Sequence, residues 1–174
     1  MHRLILLLPI LLAACGARGP DVPPAFRDTD RQIYSNAVVQ PAQILGEWDQ
    51  VAGFATPDAG GCGPGRASFA PAPDGLALTA RLCLNGVTET FDGTLASLGP
   101  GRFAPRGADP AGIGQPWWVV WLDTNDRTLV IGTPSGAFGF ILNRGGPLPP
   151  DRLAAAREIL DWNGYDLAQL RLLR

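Results

Sequence analysis

The 174-residue chain contains no lysine; all fourteen of its basic residues are arginine. Histidine occurs once, as His2, and charged residues make up only 17%. A net charge of -2 supplies no electrostatic footprint for nucleic acid. So little charge beside 46% hydrophobic residues also excludes charge-driven disorder. Long apolar runs are missing too. The longest, Leu4 to Leu12, falls well short of the roughly 20 residues a membrane-spanning helix needs. There are three cysteines and no CxxC, which removes the commonest redox and metal-ligand patterns. No serine or cysteine has an evident base nearby, and no paired carboxylates stand at helical or strand spacing. Glu89 and Asp92 read as surface charges. Catalysis therefore has no residues to carry it, and neither cofactor nor metal is expected.

Turn formers are abundant, with 22 glycines and 17 prolines. They fall between short apolar runs, as turns between many strands would. Runs at 47–54, 65–70, 76–84, 87–95, 101–105, 117–122, 128–133 and 137–143 give about eight strands in succession. The Asn85-Gly86 pair is the strongest two-residue hairpin signal among their connections. Such an order predicts an antiparallel, meandering barrel or sandwich. "PAQIL" at 41–45 predicts one helical turn before the first strand. "PLPP" at 147–150 ends the sheet, Asp151 is placed as N-cap of a helix, and Gly164 is placed to stop it. Leu153, Ala156, Ile159 and Leu160 share one face of that helix, and Leu167 to Leu173 predicts a last strand.

The first residues read as an export signal, residues 1–14, with a short basic start, an apolar run and small residues before a cysteine. "LAAC", Leu12 to Cys15, resembles the lipobox of bacterial lipoproteins. That resemblance implies cleavage before Cys15 and a membrane anchor of acyl chains such as palmitate on it. With Gly16 following, it also implies the outer membrane, with the domain facing the periplasm. Residues 15–40 read as a flexible tether and 41–174 as the folded domain. Export leaves Cys62 and Cys83 for a disulfide. In an antiparallel hairpin turning at "APAPDG" they face one another at the open end, with Phe69 opposite Leu76.

Gly46-x-Trp48 after the helical turn is similar to the first signature of lipocalins. More narrowly, it resembles the bacterial outer-membrane lipoprotein and apolipoprotein D branch. "WWVVWLDTNDRTLVIGTPSGAFGFILNR" (117–144) resembles the second and third signatures, through Asp123, Leu129, Val130, Pro134, Ile141, Leu142 and Arg144. "AREILDWNGYDLAQL" resembles the closing helix and its GYD end. The tyrosine usual after the aspartate turn is missing, with Asp126 and Arg127 near its place. The resemblance implies an eight-stranded up-and-down barrel closed at one end. The helix packs outside, and Arg144 stacks on Trp48 where Gly46 lets the backbone pass. Gly46, Trp48, Asp123 and Arg144 are then structural. It further implies a small hydrophobic ligand, a fatty acid or lysophospholipid, inside the barrel, and the related bacterial proteins suggest a homodimer. By alternation and by the resemblance, the lining falls to Leu78, Leu82, Phe91, Trp118, Val120, Phe138 and Phe140. Three readings stay open: a lipid carrier, a periplasmic protease inhibitor acting through its N-terminal arm, and a structural barrel with a filled interior.

Overall fold

A computed structural model describes residues 24–108 and 112–174. The segments 1–14 and 15–23, with the export signal and Cys15, lie outside the described residues. Eight strands close into one antiparallel up-and-down barrel: β1 (Gly46–Phe54), β2 (Arg66–Ala72), β3 (Gly75–Leu84), β4 (Val87–Gly99), β5 (Arg102–Pro105), β6 (Trp117–Leu122), β7 (Thr128–Gly132) and β8 (Gly139–Asn143). Closure falls to β1. It pairs with β8 along one edge, and with β2 over Gly46–Asp49 on the other. Beyond Asp49, β2 diverges, and a final strand β9 (Leu170–Leu172) takes its place beside Ala52–Phe54. A helical turn α1 (Pro41–Ile44) crosses one end of the barrel, and α2 (Pro150–Trp162) packs outside. No helix among the described residues is long and apolar enough to cross a membrane.

The chain buries two apolar layers. The barrel interior takes Trp48, Phe69, Leu78, Leu82, Phe91, Trp117, Phe138 and Phe140 among others. The second layer lies between the outer faces of β1, β6, β7 and β8 and the elements packed on them. It includes Phe54, Val130, Ile141, Ala156 and Leu160. Tyr165, from the GYD end, sits in this second layer, 2% exposed. Its ring explains two glycines within strands. Gly132 and Gly139 are register partners on β7 and β8. A Cβ on either would lie 2.8 or 2.7 Å from the tyrosine. Its hydroxyl donates to the Phe138 carbonyl at 2.9 Å and accepts from the Thr133 N–H at 2.8 Å.

Burial pushes the Tyr165 phenol well above its ordinary value near 10. A folded-state shift upward means that folding favours the neutral phenol. Stability from this group is complete below pH about 10 and falls above it, as the unfolded chain ionises. The slope expected is up to about 1.4 kcal/mol per pH unit. Urea unfolding of wild type and Tyr165→Phe between pH 9 and 11 checks this, the variant losing that slope.

Four expectations are corrected. The N-terminal segment joins the fold before residue 40: Phe26 is 1% exposed, Ile33 is buried, and Asn36 N–H donates to the Val119 carbonyl. Three apolar side chains in a polar stretch, Phe26, Ile33 and Val39, supply that burial, which overall composition conceals. The β2–β3 register sets Phe69 opposite Leu78, not Leu76, because the strands run on through Ala72 and Gly75 and tighten the turn to Pro73-Asp74. Cys62 therefore lies before β2, in the 55–65 loop, and the disulfide to Cys83 (Cα–Cα 5.6 Å) ties that loop to the end of β3. Such a loop closure is worth roughly 3 kcal/mol in the chain-entropy model. Pro149, not Asp151, caps α2, and Asp151 falls in its first turn, where a carboxylate favours the helix dipole.

Candidate functional site

The up-and-down order gives the barrel two different ends. At the closed end, α1 lies under the start of β1. The Trp48 indole N–H donates to the Ile44 carbonyl at 2.8 Å. The Arg144 guanidinium stands 4.2 Å from the centre of the Trp48 ring. It donates to the carbonyls of Asp126 (2.6 Å), Leu45 (2.6 Å) and Gln43 (2.9 Å). Gly46 is needed for its backbone, at φ +101°, more than for room. A Cβ there would sit 3.7 Å from Arg144, an ordinary contact. Asp123 holds the neighbouring turn by accepting from the N–H groups of Arg127 and Thr128, both at 2.6 Å. Its other oxygen pairs with Arg152 of α2 at 3.3 Å. All four signature residues thus act in closing and bracing the barrel.

The other end carries the 55–65 loop, the Asn85-Gly86 turn, the end of the 106–116 connection and the 133–138 loop. Inside the wall on this side lies an aromatic cluster. Trp117 meets Phe140 edge-on at 5.2 Å, Phe138 at 6.2 Å and Phe69 at 6.4 Å. Leu82 and Phe91 complete the apolar surface. Ile113 is buried against the same cluster, and its carbonyl accepts from the Trp117 indole N–H at 2.9 Å. Its own N–H donates to a Glu89 carboxylate oxygen at 2.7 Å.

Of the seven residues expected to line the interior, five do: Leu78, Leu82, Phe91, Phe138 and Phe140. Trp118 and Val120 do not. They face the outer apolar layer, where Trp118 lies 5.1 Å from the Arg102 guanidinium. Trp117 and Val119 take the inward positions instead. The run 117–121 is apolar on both faces, so alternation alone gives no phase, and a bulge between Val119 and Trp121 shifts the phase again.

Sequence reasoning missed two polar residues. Gln50, 1% exposed, holds the place where β1 and β2 part. Its side-chain amide donates to the Cys83 carbonyl at 2.8 Å and accepts from the Cys83 N–H at 2.7 Å, standing in for a strand. Glu89 was assigned to the surface, yet it is half-buried, with its carboxylate on the Ile113 N–H. Its place directly across from Leu82 on β3 was the signal available, since opposed residues share a face. The clefts outside are of another character. One of about 610 Å³ over β1 to β4 is walled by the charged Glu47, Arg66, Arg81 and Asp92 together with the apolar Ala80 and Phe91. Among the described residues no cluster of His, Cys, Asp or Glu could hold a metal ion.

A family model for the lipocalin-like domain matches residues 39–174. Among solved structures, the siderocalin Ex-FABP, said to function through dual ligand specificities, is 17% identical. The match covers 75% of this chain and 93% of that one, with a TM-score of 0.55. Lobster apocrustacyanin A1 is 13% identical over 76% of this chain and 77% of its own, with a TM-score of 0.54. No curated protein matches the chain.

Proposed function

The chain belongs to the lipocalin family, and on that premise we propose that it is a non-enzymatic carrier of one small hydrophobic molecule. The ligand would lie in the half of the barrel away from Trp48, and an acyl chain is the class favoured. The observation that carries the reading is the cluster of Phe69, Trp117, Phe138 and Phe140, with Ile113 set over it by two hydrogen bonds. Pockets that bind lipophiles are lined in this way, by apolar walls with very few polar groups. Glu89 is the carboxylate placed at that end.

The proposal extends to the cellular setting. The LAAC sequence supports an acylated Cys15, placing the domain on the periplasmic side of the outer membrane, in the branch of bacterial outer-membrane lipocalins. The Cys62–Cys83 disulfide is consistent with an oxidising compartment. Lipid storage, transport or membrane maintenance are the roles this combination suits. Assembly as a homodimer belongs to the same proposal.

One observation favours a second reading. The aromatic cluster is close-packed, with Trp117 1% and Phe140 0% exposed, as in a barrel whose interior is simply filled. Titration separates the two. Delipidated, disulfide-intact protein should take up a fatty acid or lysophospholipid saturably, with affinity near micromolar and a change in tryptophan emission. A folded protein that binds neither is a filled barrel, and its function must then lie on its surface.

A further inference from the structure

We propose that the open end of the barrel rests against the phospholipid bilayer that holds Cys15, so that the mouth of the barrel is a membrane-docking surface. The inference rests on the anchored-carrier reading above and adds its orientation. The first observation is where the described chain starts. Phe26 N–H donates to the Gly136 carbonyl at 2.7 Å, and the Arg27 guanidinium donates to the Pro134 carbonyl at 2.7 Å. Both partners belong to the 133–138 loop of the mouth. From there the segment runs down the outer wall to the closed end, where Ser35 bonds the Pro100 carbonyl. Arg27 also donates to the Asn163 and Arg31 carbonyls and is only 6% exposed, so the segment is fixed at this point.

The second observation is length. Nine residues carry the chain from Cys15 to Pro24. Their greatest possible reach is about 30 Å. The barrel is about 25 Å tall, taking the ten residues of β3 at a strand tilt near 40°. To bring the closed end to the bilayer, the link would have to run almost fully extended back along the whole wall. Bringing the mouth there needs almost none of that reach.

The third observation is the composition of the rim. In the described rim stretches 55–65, 85–87, 112–116 and 133–138, Asp58 is the only charged residue, with Glu89 and Arg171 standing beside them. Val87 stands 60% exposed beside the Asn85-Gly86 turn. Near the closed end, by contrast, charges of both signs are exposed, among them Glu47, Asp74, Arg102 and the Asp49–Arg66 pair. Pressing charged groups against lipid costs their hydration, which the sparsely charged rim largely does not incur. Val38 and Leu98 are also exposed near that end, and they make the competing surface. In the proposed orientation an acyl chain passes between bilayer and calyx without crossing water.

The test uses the full lipoprotein in vesicles of phosphatidylethanolamine and phosphatidylglycerol with brominated acyl chains. Flotation of wild type, lost in Cys15→Ser, comes first. If wild type does not float, the anchor reading fails and takes this orientation with it. An environment-sensitive fluorophore is then placed at Val87→Cys or at Leu98→Cys. The expected result is quenching at least several-fold stronger at position 87 than at position 98. Stronger or equal quenching at 98, or none at either position in protein that floats, overturns the proposal while leaving the anchor intact.

Discussion

Replacing Arg144 with alanine is expected to cost about 2–4 kcal/mol of folding stability, a large share of the 5–15 kcal/mol typical of a domain. The estimate follows from what the guanidinium holds. It donates to the carbonyls of Gln43, Leu45 and Asp126, and so ties the α1–β1 junction to the turn between β6 and β7 at the closed end. Each bond from a charged donor contributes more than a neutral one, and the stack on Trp48 adds about 0.5–2 kcal/mol. Water reaches part of the vacated space, which keeps the loss below the sum of the bonds. For a chain of this size the melting temperature should fall by roughly 6–12 °C. Arg144→Lys should recover less than half of the loss. An ammonium cannot serve three carbonyls in the plane of a stacked fork. A double-mutant cycle with Trp48→Phe isolates the stack, with an expected coupling of about 1 kcal/mol. A coupling of zero would mean that Arg144 acts only through its hydrogen bonds.

Phe140→Ala has the second large effect, and it acts on stability and binding together. The side chain is fully buried and packs against Trp117 at 5.2 Å and Phe138 at 5.7 Å. Its truncation removes transfer energy, leaves a cavity and breaks two aromatic contacts, for about 3–5 kcal/mol. An apolar cavity stays dry and accepts apolar molecules. The variant should therefore bind short aliphatic or aromatic probes more tightly than wild type, while still unfolding cooperatively in denaturant. Trp118→Ala is the matched control. Its ring lies outside the barrel, so stability should fall modestly and probe binding should not change. Binding lost in Trp118→Ala and retained unchanged in Phe140→Ala would place the ligand outside the wall.

Much of the architecture was legible because local chemistry and tertiary role agree there. The glycine-and-proline punctuation marks the strand boundaries to within a few residues. Gly46, Trp48 and Arg144 mark the closed end, since a positive φ and a planar cation over an indole need those residue types. The site was less legible, and the reason is physical. Half of the wall is apolar on both faces, because α2, Tyr165 and the 26–39 segment cover it from outside. In Trp117–Trp121 no polar residue fixes which face is inner, and the bulge resets the phase midway. On β3, where Thr79 and Arg81 alternate with leucine and alanine, the inward set was read correctly. Gln50 and Glu89 escaped for the opposite reason. Each is a polar residue whose burial depends on a backbone partner far away in sequence, Cys83 for one and Ile113 for the other.

On the carrier reading, an apolar ligand enters the barrel beside Trp117. Two forms of the protein test it most directly, each retaining Trp48 and one further tryptophan, either Trp117 or Trp118, with phenylalanine at the other tryptophan positions. Both are titrated with a fatty acid brominated along its chain, which quenches indole at contact. Saturable quenching is expected in the Trp117 form and none beyond the Trp48 background in the Trp118 form. Quenching confined to the Trp118 form, or absent from both while the proteins remain folded, would contradict that reading.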